Sequence, residues 1–200
     1  LNGFMHRYLP NLYVFLDQYN NKIFENNNIN IGIIYRNYED ANREVELIKI
    51  AKACKKKRYQ FFVSNDLKLA LKTKADGIYI PSFNKSKKFL NLEIKNFTIL
   101  GSAHNYKEIQ EKISQRCRGI FISPIFNTEK SKTYLDVYKF NSLANLRKIH
   151  VFALGGINEK NIRKLKMLTN IKGFGAIRVF KKKPALKRPV FLKNKILLNF

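Results

Sequence analysis

Eight short apolar runs recur along the chain, at residues 11–16 (NLYVFL), 31–35 (IGIIY), 59–63 (YQFFV), 76–80 (DGIYI), 97–100, 119–122 (GIFI), 151–154 (VFAL) and in the IKGFGAIRVF stretch after residue 170. They are continuous rather than alternating, the pattern of strands buried on both faces of a parallel sheet. Helical periodicity fills most gaps between them. Residues 39–54 place Ala41, Val45, Ile48 and Ala51 on one face, opposite charged side chains. The basic run 55–58 complements that helix's negative end. Ser64-Asn65-Asp66 caps a short helix over 67–72, a helical turn is expected near 86–91, and Asn105 with Glu108 forms a capping box for the next helix. Residues 138–148 read as helical. Asn158 is the expected cap of a helix to about Met167, with Ile162, Leu165 and Leu168 inward. The Asn-rich segment up to Asn30 has room only for a poor, short first helix. Strand–helix alternation at this spacing predicts an α/β fold of the closed (β/α)8 barrel type. The alternative, a doubly wound sheet, normally carries its glycine-rich phosphate loop after the first strand. Here it follows a late one.

That loop is Gly155-Gly156, where the missing Cβ atoms allow a tight turn and close approach to a ligand. A helix beginning just after it would offer unpaired N–H groups to phosphate. In barrels of this type the last two strand–helix loops commonly make such a site. A second glycine-rich turn is expected at the end of the IKGFGAIRVF stretch. Residues 1–180 thus read as one barrel. The basic segment 181–200 is broken by Pro184 and Pro189 but carries enough aliphatic residues to dock on the barrel as a shortened eighth helix.

Composition narrows this picture. The chain has 200 residues, 45% hydrophobic, enough for one sizeable core. No apolar run approaches the roughly 20 residues of a membrane span. The first residues lack the basic start and cleavage site of a signal peptide, so the cytoplasm is the expected compartment. Cys54 and Cys117 have no CxxC spacing and read as reduced and partly buried. Against 14 acidic residues stand 39 basic ones, a net charge of +25. Such a surface attracts polyanions. The lysines are spread along helices rather than gathered with aromatics, however, so the charge reads as compositional and nucleic acid is not the expected partner. Tight binding of small anionic substrates is.

Polar groups at strand ends are the candidate chemistry of a barrel. Strand by strand they are Asp17, Arg36, Asn65 with Asp66, Tyr79 with Ser82 and Asn84, Ser102 with His104, the loop 123–132, the glycine turn and Arg178. Basic and amide groups outnumber carboxylates, which suits a phosphorylated ligand better than a two-carboxylate hydrolase. His104 is the one imidazole at a strand end and the natural general acid/base. His6 and His150 read as structural.

These residues occur as an ordered set of motifs: SND (64–66), DGIYI (76–80), GSAH (101–104), SPIFNT (123–128), ALGGI (153–157) and GFGAI (173–177). Over residues 12–180 the chain resembles the thiamine phosphate synthase and TenI (thiazole tautomerase) superfamily of (β/α)8 barrels. The resemblance implies one of two enzymes. A synthase joins a pyrimidine diphosphate to a thiazole phosphate and expels pyrophosphate with Mg2+. A tautomerase rearranges a thiazole carboxylate phosphate with a histidine base. A third outcome is a barrel that binds a phosphorylated ligand or polyanion without catalysis. By resemblance, Gly155, Gly156, Arg178 and Val179 hold the thiazole phosphate, Thr128 lies in the loop over the thiazole, and Lys130 or Lys132 supplies that loop's lysine. Ser102 and His104 match the family's Ser-x-His. Arg36 and Asn65 match the diphosphate side and Asp66 the first magnesium carboxylate. Asn84 stands at the second, and Ile34, Tyr38, Leu67, Tyr79, Pro81 and Ser82 replace other family residues. The resemblance leaves oligomeric state open and implies a weakened Mg2+ site.

Overall fold

The computed structural model describes residues 8–25, 30–37, 43–89, 97–129, 131–145 and 149–176. Among them the strands are β1 (Leu12–Leu16), β2 (Ile31–Tyr35), β3 (Gln60–Ser64), β4 (Gly77–Ile80), β5 (Thr98–Ala103), β6 (Gly119–Ile122), β7 (His150–Leu154) and β8 (Ile171–Ala176). Each pairs in parallel with the next, and β1 also pairs with β8, through Leu12 opposite Phe174. The ring is therefore closed, as the apolar runs predict, and the doubly wound alternative is excluded. The helices are α1 (Asn21–Phe24), α2 (Arg43–Lys57), α3 (Leu67–Lys72), α4 (Tyr106–Ser114) and α5 (Asp136–Ala144), with a 3-10 helix at Ile162–Met167. α1, four residues long, is the short first helix expected of the Asn-rich segment.

Both strand faces are apolar because both are covered. Inside the barrel, Tyr13, Phe15, Ile34, Phe62, Tyr79, Leu100, Phe121, Phe152 and Leu154 form one cluster with Leu9. Phe121 meets Tyr13 edge-on and Phe152 nearly stacked, each at 5.0 Å between ring centroids, geometries that add to simple burial. Outside, alternate residues such as Ile33, Phe61 and Val63 pack under Leu47, Ile50 and Ala70, and Ile120 and Ala153 under Ile109, Phe140 and Leu165.

Several sequence expectations need correction. The buried stripe of α2 is Leu47, Ile50 and Cys54, whereas Val45 is 67% exposed. Two apolar stripes compete on that helix, and the one with the larger side chains covers the sheet. Gly173 and Gly175 lie within β8 and make no second glycine turn. A Cβ on Gly173 would sit 1.9 Å from the Asn11 carbonyl oxygen, so this glycine lets β8 close against the start of β1. The segment after Asn158 forms a 3-10 helix beginning at Ile162 rather than a capped α-helix. α5 starts at Asp136 and ends at Ala144, and residues 86–89 are not helical. The first residues of the expected 39–54 helix, residues 146–148, the rest of the 86–91 turn, His6 and the basic segment 181–200 lie outside the described residues.

No helix among the described residues is long and apolar enough to cross a membrane. Cys54 and Cys117 are free, buried and in different clusters. Burial pushes both thiols up, Cys117 to about 12. A native sample at pH 8 is therefore expected to leave both thiols unreactive toward Ellman's reagent, and a denatured sample to titrate both; rapid native labelling would contradict this packing. Phe121→Ala is expected to cost about 3–5 kcal/mol in urea unfolding, the usual range for truncating a buried phenylalanine.

Candidate functional site

The carboxyl ends of the strands carry two groups of polar residues. The first spans β5 to β8. His104, exposed just beyond β5, has Nδ1 2.7 Å from the Ser123 carbonyl oxygen. A carbonyl only accepts, so Nδ1 carries the proton and Nε2 is left as a base. The hydroxyl nearest that imidazole belongs to Ser123, with Oγ 3.3 Å from Nδ1. Ser102, matched by resemblance to the family's Ser-x-His, is buried in β5. Asn105 caps α4 by accepting from the Glu108 amide, and Glu108 returns to the His104 amide at 2.7 Å. The backbone on both sides of the imidazole is thus fixed.

The loop after β6 is held from its other side by Gly155 and Gly156, at φ 93° and 72°. The Phe126 amide donates to the Gly155 carbonyl at 3.2 Å, and Ile125 to Leu154 at 2.9 Å. A Cβ on Gly156 would lie 2.4 Å from the Phe126 carbonyl oxygen and 2.5 Å from that of Asn127. The SPIFNT (123–128) and ALGGI (153–157) motifs therefore touch. Asn158 and Asn161 both donate to the Gly156 carbonyl, at 3.2 and 2.8 Å. Asn158 also accepts from the Lys160 amide, and these local bonds compete with an α-helix. The helix end expected to face a phosphate directly is consequently not at the turn. Thr128 is tied to Ser131, whose amide donates to its Oγ1 at 3.0 Å. Lys132 is exposed. Lys130, Arg178, Val179 and Tyr38 lie outside the described residues.

The second group spans β1 to β4. Arg36 Nε donates to Asp17 Oδ1 at 3.0 Å. Asp66 caps α3 through Oδ1, which accepts from the Leu69 amide at 2.9 Å, and its Oδ2 pairs with Arg43 at 3.0 Å. Arg43 also donates to the Ser64 carbonyl at 3.0 Å. Asn84 Nδ2 donates to Asn65 Oδ1, and Asn84 Oδ1 accepts from the Ser86 amide at 2.7 Å. Behind Asn84 lies a fully buried Lys112, whose ammonium donates to the carbonyls of Pro81 and Asn84 and to Gln115 at 2.7–2.9 Å. Gln115 donates to the Asn84 and Ser86 carbonyls at 3.0 and 2.9 Å. Burial lowers the Lys112 pKa, opposed by Cys117, Glu108 and Glu111.

Arg43, Lys112 and Gln115 are the functional-site residues that sequence reasoning missed. Arg43 is the first described residue of α2, and Lys112 follows Ile109 by three residues on the buried face of α4; that spacing was the available signal. The weakened Mg2+ site that the resemblance implies meets a poor set of donors here. The side chain beside Asn84 is Asn65, not Asp66. Both Asp66 oxygens are engaged, one by a guanidinium, and the remaining pair consists of neutral amides. Mg2+ takes hard, preferably anionic oxygens, and this donor set does not fit it. No group of three His, Cys, Asp or Glu side chains suited to a metal occurs among the described residues.

Comparison with known proteins supplies the family. The sequence model of the family described as thiamine monophosphate synthase matches residues 27–180. The thiamine-phosphate synthase of Prochlorococcus marinus subsp. pastoris strain MED4 is 34% identical over 142 residues, covering 68% of this chain and 40% of that protein. That of Thermoplasma acidophilum is 30% identical over 171 residues, covering 78% of each. The chain thus spans less than half the length of the Prochlorococcus relative. Among solved structures, thiamine phosphate pyrophosphorylase from Pyrococcus furiosus superposes with a TM-score of 0.67 at 21% identity, covering 86% of both chains. A 3-keto-L-gulonate-6-phosphate decarboxylase from Vibrio cholerae gives 0.60 at 15%, covering 86% of this chain and 90% of that one, a likeness of fold alone. With a match across residues 27–180, the ordered motifs and a closed barrel that brings SPIFNT and ALGGI into contact, the chain belongs to the thiamine monophosphate synthase family.

Proposed function

We propose that this chain makes thiamine phosphate, joining a hydroxymethylpyrimidine diphosphate to a thiazole phosphate with release of pyrophosphate. The observation that carries the reading is the contact between the Gly155–Gly156 turn and the 123–128 loop. In the reaction the thiazole nitrogen bonds to the pyrimidine's exocyclic carbon as that carbon's bond to the diphosphate oxygen breaks. The bonding electrons leave with pyrophosphate. Backbone N–H groups at the glycine turn, with Arg178 and Val179, bind the thiazole phosphate, since glycine permits close approach. Thr128, with Lys130 or Lys132, covers the thiazole. Arg36 and Asn65 bind the diphosphate, and the +25 charge of the chain draws in both anionic substrates. Magnesium, the family's usual aid to the departing charge, has no matching donor set here, so this reading leaves that charge to the protein's own cations. The proposed compartment is the cytoplasm, in keeping with two free buried thiols.

A second reading rests on His104, whose bond to the Ser123 carbonyl leaves Nε2 basic at an exposed position. It makes the protein a thiazole tautomerase, with that nitrogen moving a ring proton.

Incubating purified protein with both synthase substrates is expected to yield thiamine phosphate and pyrophosphate in equal amounts. Absence of product, both with and without Mg2+, would refute the synthase reading. His104→Ala separates the two readings: a tautomerase loses about 10²–10⁴-fold in turnover, the usual weight of a general base, whereas condensation survives. Gly156→Ala, strained by its positive φ and by the adjacent carbonyls, is expected to raise KM for thiazole phosphate about tenfold, with a smaller change for the diphosphate substrate.

A further inference from the structure

The side chains that meet between β3 and β4 are both amides, and their oxygens are already accepting protein hydrogen bonds. Asn84 Oδ1 takes the Ser86 amide at 2.7 Å, which orients the group and turns Nδ2 onto Asn65 Oδ1. Asn65 Nδ2 has no hydrogen-bond partner among the described residues. The N–H donors are therefore the functionality left over. A pair of carboxylates at this place would repel a diphosphate unless a cation lay between them. A pair of amides donates to it directly.

The surroundings reinforce this. Asp17 and Asp66 are each paired with an arginine at 3.0 Å, and the ammonium of Lys112 lies 2.7 Å from the Asn84 carbonyl. Arg36 and Arg43 thus offset the two carboxylates one for one, so neither aspartate presents an unpaired charge to an incoming anion. The arrangement is rigid: Lys112 and Gln115, both fully buried, hold the main chain of residues 81–86 through four hydrogen bonds to the carbonyls of Pro81, Asn84 and Ser86. A buried ammonium is costly to leave unpaired, and here three acceptors satisfy it.

We propose that the Asn65–Asn84 amide pair is an anion-binding subsite that takes the diphosphate of the substrate directly, with no bridging divalent cation. The proposal rests on the synthase reading for the identity of its ligand, but its binding chemistry can be tested without turnover. The first measurement is Mn2+ binding to the purified protein, followed by electron paramagnetic resonance as a stand-in for Mg2+. The wild-type chain is expected to show no saturable site. The Asn65→Asp/Asn84→Asp double variant, nearly isosteric, is expected to gain one. The second measurement is calorimetric titration with inorganic pyrophosphate in EDTA. Wild type is expected to bind. The double variant should bind at least about tenfold more weakly, because each substitution replaces a donor by a like charge, and should recover when Mg2+ is supplied. Asn65→Ala provides a second variant, expected to weaken pyrophosphate without creating a metal site. A saturable Mn2+ site in wild type, displaced by Mg2+, would overturn the proposal, as would wild-type pyrophosphate binding that vanishes in EDTA. Failure of condensation alone, with these binding results intact, would overturn the synthase reading and leave the subsite standing.

Discussion

Where a Cβ of residue 156 would lie, the carbonyl oxygens of Phe126 and Asn127 already stand, 2.4 and 2.5 Å from that position. Most of the mouth on the β5–β8 side follows from this exclusion. Because two loops occupy the same small volume, the turn after β7 fixes the loop after β6, and that loop fixes the imidazole of His104 through the Ser123 carbonyl. The tautomer of the histidine is therefore decided by a glycine more than fifty residues away in sequence. A side chain at 156 would act on the base, the loop and the phosphate turn together, with no charge changed.

The other half of the mouth is organised by charge rather than by space. Two arginines neutralise two aspartates, a buried lysine fastens a strand-end loop, and two asparagines hold each other. Each carboxylate already has a cation, and one also ends a helix. The chain's large positive charge matters locally here: mostly it is spread over exposed lysines, but at this corner it is buried or paired and its geometry is fixed. Partly buried pairs are screened less by salt than exposed ones, so this corner should keep its field under ionic conditions that blunt the rest of the surface.

The barrel was legible because strands covered on both faces leave an uninterrupted apolar signature, and 31–35 and 119–122 were read with the bounds they have in the structure. Helix faces were less legible. α2 has two apolar stripes, and periodicity cannot say which one the sheet will take. The segment after the glycine turn has the spacing of a helix, but Asn158 and Asn161 spend their side chains on local backbone and leave only a 3-10 turn. In the site, residue type was read better than pairing. His104 and the glycines could be picked out at strand ends, whereas the hydroxyl next to His104 belongs to Ser123. Nothing in composition separates the buried ammonium of Lys112 from the exposed lysines among the described residues; only three converging acceptors do.

The choice between Asn65 and Asp66 shows why adjacent polar residues resist assignment from sequence. Consecutive positions at the end of a strand point in opposite directions, so a carboxylate one residue off faces a different neighbour. Asp66 is directed to the first turn of α3, where a negative charge is favoured by the free amides, and there it also meets Arg43. Asn65, at φ 58° and with its backbone N–H donating to the Tyr79 carbonyl, is the residue whose side chain meets Asn84. The same two letters in the other order would put a carboxylate beside Asn84 and an amide at the cap. Both residues serve as caps about equally well, so helix stability does not set the order. The electrostatics of the corner does: a charge beside Asn84 would call for a cation, and an amide there offers a donor.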